Sequence, residues 1–279
     1  MTTRKKTWVL AAVIVAAASS LAWSTLSEPA FHQADRFPYS LGTPTVVELP
    51  VSLNEISGIV YSESARGLLA IEDEDGSLFT LAPKKNYAAT SVRFAKRGDY
   101  EDIALIEDRA YVLLSNGNIL SFDTKAPQTV VTFHFPDKGR NEFETLVYDP
   151  PSGKLLLFCK SCKGSKGTMA WTVDPASGAY GPSAFSPDLS SVKGLKGSKG
   201  FQPSAAAVHP STGDFYLLSS HNKRLVVTDR SGVVKYVQEL DPVLYKQPEG
   251  ICFLPDGSLV ISNERSTSGT ATLLISAPR

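Results

Sequence analysis

Three glutamates share one local context. Glu101 in "YEDIALIEDRAYVLL", Glu144 in "FETLVYDPPSGKLLLF" and Glu249 in "PEGICFLPDGSLVIS" each precede a short apolar run, a turn and a second apolar run. Asp102 adjoins the first, and Glu55 and Glu142 stand beside the set. Like charges crowded together raise one another's pKa or recruit a cation. Hard oxygen donors in number favour Ca2+, which accepts about six to eight of them in flexible geometry. Glu101, Asp102, Glu144 and Glu249 are therefore the candidate metal ligands. Glu72, Asp73, Lys160, His221, Asn263 and Glu264 fall in the loops that follow and are the candidate ligand-binding residues, with Asn116 at the same level. The acids also have an architectural alternative, in which they cap strand ends and accept backbone N–H bonds between repeated units.

Other motifs carry less chemistry. "EDEDG" (72–76) lacks the twelve-residue spacing and closing Glu of an EF-hand loop and reads as an exposed acidic turn. "CKSC" places Cys159 and Cys162 at a strand end, whereas a thioredoxin-like pair needs a helix N-terminus to lower the first thiol's pKa. No second ligand pair stands at zinc-site spacing, which leaves a local disulfide and two reduced thiols as open alternatives. Cys252, in "GICFL", reads as a small core residue. No G-x-S-x-G nucleophile elbow occurs, and of the 4 His residues only His221 falls near the proposed cluster. "KGSKG", at 163–167 and again at 196–200, has amides and lysines suited to phosphate. It lacks the strand-to-helix context of a P-loop and reads as solvated loop.

An internal repeat supplies the elements that would gather these residues. "EISGIVYSESARGLLAIEDEDGSLFTL" and "QPSAAAVHPSTGDFYLLSSHNKRLVVTD" join the three glutamate motifs, making Ser57, Glu101, Glu144, Ser204 and Glu249 equivalent. Their spacings are 44, 43, 60 and 45 residues, the long one containing the Lys/Gly/Ser segment "SSVKGLKGSKG". Each unit reads as short β-rich runs separated by "DPPSGK", "HPSTGD" or "LPDGS", where Pro and Asp open a turn and Gly supplies the positive φ. A period in the mid-forties with several strands per unit predicts propeller blades, each burying its faces against its neighbours. The expected fold is all-β: a single β-propeller domain over 45–279, with five blades visible in sequence. A degenerate sixth around "MAWTVDPASGAYGPSAF" is the alternative count, and a β-sandwich the alternative architecture. "TPTVVELP" (43–50) and "ATLLISAP" (271–278) are expected to pair within one blade and close the ring. The innermost strands would then aim the glutamates at one rim of a central channel.

The N-terminus has another character. "MTTRKK" precedes "TWVLAAVIVAAASSLAW", uncharged from Thr7 to Trp23, so 1–23 reads as a signal peptide or an uncleaved membrane anchor and 24–44 as a tether. Both readings put the remainder outside the cytoplasm. Lys plus Arg is 28 and Asp plus Glu is 28. This balance provides no basic field for nucleic acid.

The ensemble "NEFETLVYDPPSGKLLLFCKSC", "FQPSAAAVHPSTGDFYLLSS", "LVVTDRSGVV" and "LYKQPEGICFLPDGSLVISNE" resembles the SdiA-regulated family, also called YjiK/CarP-like proteins, over most of residues 50–275. The resemblance implies a bacterial β-propeller, membrane-associated or periplasmic, in a family some of whose members are linked to calcium responses or to phytase-like chemistry. The expected function is binding of a small ligand or an envelope protein, with Ca2+ at the acidic mouth. A calcium-dependent phosphoesterase, with metal-bridged substrate phosphates and Lys160 or His221 assisting, is the alternative.

Overall fold

The computed structural model describes residues 36–279 apart from 138, 140, 163–169, 184, 190–191, 193–199 and 268. Strand β1 (Thr45–Glu48) opens the series, and the first blade follows as β2 (Ile56–Ser62), β3 (Gly67–Glu72), β4 (Ser77–Ala82) and β5 (Ala88–Arg93). The second is β6 (Tyr100–Ile106), β7 (Arg109–Leu114), β8 (Ile119–Asp123) and β9 (Ala126–Phe133). The third is β10 (Asn141–Asp149), β11 (Lys154–Cys162), β12 (Ala170–Val173) and β13 (Tyr180–Pro182). The fourth is β14 (Ala205–Val208), β15 (Phe215–Ser219), β16 (Arg224–Thr228) and β17 (Val234–Glu239). The last comprises β18 (Pro248–Phe253), β19 (Leu259–Asn263) and β20 (Thr272–Ser276), completed by β1 from the other end of the chain.

All five sheets are four-stranded and antiparallel. Their first strands adjoin in the cyclic order β2, β6, β10, β14, β18 and back to β2, so the fold is a closed β-propeller. The unbroken apolar runs in the blade centres have a direct cause. Successive side chains on a strand face opposite sides, and here both sides are covered. In β3, Leu69 and Ile71 pack towards the second blade, while Leu68 and Ala70 pack towards the fifth. Five apolar clusters result, one at each blade interface. The turn glycines behave as their motifs require: Gly153, Gly213 and Gly257 have φ of 64°, 72° and 83°.

Thr45–Glu48 pairs antiparallel with Thr272–Ser276, as expected of the ring closure. The sixth-blade alternative is corrected: Ala170–Val173 and Tyr180–Pro182, within "MAWTVDPASGAYGPSAF", are the outer strands of the third blade. The hydrophobic N-terminal segment, and the helix expected of it, lie outside the described residues. Among the described residues no helix is long and apolar enough to cross a membrane. The tether reading of 24–44 is also corrected from Phe37 onward. Phe37, Tyr39 and Leu41 are buried in the core between the fourth and fifth blades. Tyr39 bridges to Pro278 and its hydroxyl donates to the Gly257 carbonyl at 3.0 Å. Apolar side chains that would cost free energy in water anchor the stretch to the body.

The first strands draw together at one level. Asp102 Oδ2 accepts the Leu146 N–H of the next blade at 2.8 Å, Ser204 Oγ donates to the Pro248 carbonyl at 2.9 Å, and Ser262 Oγ donates to the Ser57 carbonyl at 3.3 Å. Gly58 fits here because it has no side chain. A Cβ at that position would lie 2.6 Å from the Ile103 nitrogen and 2.8 Å from the Asp102 Cα. Backbone cannot yield as a flexible side chain does, so Gly58→Ala is expected to destabilise the fold by about 3 kcal/mol, the upper range for overpacking. Urea denaturation checks this; an unchanged midpoint would mean the blades separate freely at that level.

Candidate functional site

Glu101, Glu144 and Glu249 are surplus residues in their strands. Tyr100 pairs with Leu114 and Asp102 with Leu113, leaving Glu101 opposite no partner. Glu144 is left over between the pairs Phe143–Cys159 and Thr145–Phe158, and Glu249 between Pro248–Asn263 and Gly250–Ser262. The first blade has its irregularity at Ser57–Gly58. A β-bulge locally bends the strand and re-aims a side chain, and here it recurs at the repeat position where the acid stands.

The third blade carries a second bulge facing the first. Glu142 pairs with Ser161 and Phe143 with Cys159, so Lys160 is the surplus residue of β11. Its ammonium hydrogen-bonds Glu144 and lies 3.3 Å from Glu142. A disulfide joins Cys159 to Cys162, with Cα atoms 5.9 Å apart, and flanks Lys160 on both sides. The disulfide is thus the alternative that the structure realises for "CKSC", and Cys252 is a buried free thiol.

The electrostatics show one crowded site. Burial, then the charges of Glu144 and Asp99, push Glu101 up to about 9 against the opposing pull of Lys160. Burial and Glu144 raise Glu249 to about 7, while a Ser220 hydrogen bond, Lys160 and Lys223 oppose the rise. Glu144 is also raised, chiefly by burial, although Lys160 counteracts this. Glu264 is pushed up to about 8 by burial and by Glu55, to which it is hydrogen-bonded. Glu55 moves the other way through that bond and through Arg265. The pair therefore shares a proton held mostly on Glu264. Asp73 rises to about 6 through burial and the charges of Glu55 and Glu72, and its Oδ1 is buried without a hydrogen-bond partner.

The structure thus couples Glu101, Glu144, Glu249, Lys160, Glu264 and Asp73, and separates out the rest. Asp102 does not join the mouth: it is 3% exposed, and its carboxylate accepts N–H bonds from Ile103 and Leu146, the inter-blade role of the architectural alternative. Glu72 caps its own turn, accepting from Glu74 N at 3.0 Å and Asp75 N at 2.5 Å. Asn263 is buried inside its blade, donating to the Leu244 carbonyl and to Thr272 Oγ1. His221 is exposed. Sequence reasoning missed Asp99 and Lys223. Asp99 had a signal, because Glu55, Asp99, Glu142, Gln202 and Gln247 all stand two residues before the repeat position. Among the described residues, no three acidic, His or Cys side chains converge as a preformed metal centre. Among the described residues, Lys160 is a cation already present against these acids.

Neither a protein-family model nor a curated protein sequence matches the chain. Solved structures share its fold. It is similar to the glutaminyl cyclase of Myxococcus xanthus, with a TM-score of 0.58 and 17% identity over 84% of this chain and 96% of that one. It is similar to regucalcin, a calcium-binding protein of Agrobacterium tumefaciens, with a TM-score of 0.53 and 14% identity over 87% and 95%. A protein of unknown function from Bacteroides thetaiotaomicron gives 0.55 and 18% over 79% and 58%. Identities this low show the β-propeller fold alone.

Proposed function

We propose that this chain is a ligand-binding β-propeller of the bacterial cell envelope, of the SdiA-regulated kind, whose acidic mouth takes up a cation, with Ca2+ as the divalent candidate. One observation carries the reading: Glu101, Glu249, Glu264 and Asp73 are all pushed upward by burial and by neighbouring carboxylates, with Lys160 and Lys223 the described cations that oppose the rise. Such a site holds protons because burial and neighbouring like charges disfavour ionisation, and a cation entering it would displace them. The residues fit calcium in donor type, and the unpartnered Asp73 Oδ1 is a ready oxygen. They do not fit it as a finished cage, since Lys160 stands against Glu144 and would have to move aside. The calcium-binding character of regucalcin, a protein of like fold, is consistent with this reading. The basic N-terminus and apolar segment ahead of the propeller support the envelope location. Among the described residues, nothing at the mouth favours the phosphoesterase alternative. Lys160 faces carboxylates, and Lys223 donates to the Lys246 carbonyl at 2.6 Å.

The test is calcium titration of the whole chain followed by melting temperature and by proton release. Calcium at about ten times its Kd stabilises by about 1.4 kcal/mol, a rise of about 3–5 °C for a domain of this size. Protons should be released at pH 7 and fewer at pH 9, where more of the carboxyls are already ionised. A melting point indifferent to millimolar calcium at both pH values would remove the metal from this proposal.

A further inference from the structure

A cavity of about 630 Å3 runs among the first strands beyond the level where they draw together. Ile59, Ile103, Leu146, Ala206 and Ile251, one from each first strand, belong to its wall, and none of the mouth carboxylates does. Two residues of extended chain separate Glu101 from Ile103, about 7 Å at the usual rise. The cavity therefore belongs to the opposite end of the axis from the acidic mouth. Its rim there is made by the turns after the first strands, where Pro150, Pro210 and Pro255 are exposed, so it opens to solvent.

The chemistry of the lining is selective. The wall is aliphatic, and Tyr61, Tyr148 and Phe253 add aromatic surface. The charged residues of the lining are Glu63 and Asp256, and it contains no Lys, Arg or His. Glu63 lies near enough to Tyr61 for its charge to raise the Tyr61 hydroxyl's pKa, after burial, and the Asp256 Oδ1 accepts the Ser258 N–H at 2.9 Å. Both carboxylates are exposed, and Asp256 keeps its Oδ2 for a ligand. Arg66 is the cation that reaches Tyr61, and it lies outside the lining. The volume falls within the range of about 300–1,000 Å3 typical of small-molecule sites, which combine an apolar wall with a few orienting polar groups. Aromatic faces attract cations, and carboxylates repel anions.

We propose that this cavity binds a small hydrophobic organic amine, its apolar body between the first strands and its ammonium at the rim against Glu63 and Asp256. The site is separate from the cation mouth, and either can exist without the other. Phenethylamine, phenethyl alcohol and phenylacetate share one frame and differ in charge, so they serve as probes. Calorimetric titration of the whole chain is expected to show the amine binding, the alcohol binding more weakly and the acid not binding. The Glu63→Gln/Asp256→Asn double variant, changed at two exposed rim positions, should weaken the amine by about fivefold or more and leave the alcohol unchanged. Glu101→Gln should leave amine affinity unchanged. Equal affinity for amine and acid, or no binding of the amine at millimolar concentration, overturns the proposal. Loss of amine binding in Glu101→Gln with retention in the rim variant also overturns it, by placing the amine at the mouth.

Discussion

Replacing Glu101 by Gln should make the propeller more stable at neutral pH and flatten its dependence on pH. The carboxyl is held near 9 in the folded protein against an ordinary value of 4.5. Between those values the folded chain keeps a proton that the unfolded chain has lost. Stability therefore falls as pH rises through this window, and the loss levels off above the folded pKa. At pH 7 the gap from 4.5 is worth about 3.5 kcal/mol at about 1.4 kcal/mol per unit, which solvent screening of the half-buried side chain reduces to about 2–3 kcal/mol. Glutamine keeps the shape of the neutral acid and has no proton to lose. The two proteins should unfold alike near pH 4.5 and diverge steadily towards pH 9. A residual slope between about pH 6 and 8 would remain, from Asp73, Glu249 and Glu264. Denaturant midpoints across this range decide the matter; parallel profiles for wild type and variant would show that Glu101 is not buried among its neighbours.

Lys160→Met is expected to do the reverse. Its ammonium hydrogen-bonds Glu144, lies near Glu142, and lowers the pKa of Glu101 and Glu249. Removing one partner of a buried pair costs about 3–5 kcal/mol because the other charge stays behind. Here the Lys160 and Glu144 side chains retain 28% and 17% exposure, and solvent screening reduces the loss to about 2 kcal/mol. The cost depends on ionised carboxylates, so it should be largest at pH 8–9 and nearly absent near pH 4.5. The same substitution vacates the position nearest Glu144, and calcium should then act at lower concentration. A destabilisation equal at pH 5 and pH 8.5 would assign Lys160 a packing role instead. Combining Lys160→Met with Glu101→Gln should recover part of the loss, because the two residues sit in one electrostatic network.

The blade count and the ring closure are legible in the sequence because turn chemistry and apolar alternation act locally. "DPPSGK" and "LPDGS" announce their turns, and "LLAI" shows a strand covered on both faces. The long interval between Glu144 and Ser204 mimics an extra blade because β12 and β13 are short and followed by the Lys/Gly/Ser segment. The acids separate less readily by eye. Glu101 and Asp102 are adjacent and chemically alike, yet a bulge directs one to the mouth while the other ties two blades together. Periodicity alone does not register that surplus residue. Lys160 has a similar history: as a residue in "CKSC" it reads as a loop cation, and only paired bulges in β10 and β11 bring it against Glu144. The cavity opposite the mouth is invisible in sequence, since its aliphatic wall looks like any strand interior.

The last sheet takes its outer strand from the opposite end of the chain, and this constrains synthesis. Roughly 230 residues separate Thr45 from its partner Ile275, and a ribosome adding about 5–20 residues per second takes on the order of 10–50 s to make them. Until then β1 has no edge to join, and Val47 and Leu49 wait for the Leu273 they will pack beside. A nascent chain interrupted before residue 272 therefore carries an open sheet margin at each end, the kind of surface on which strands from different molecules pair. Holding such a chain extended until its final strand emerges is the service a chaperone or an export channel would give it.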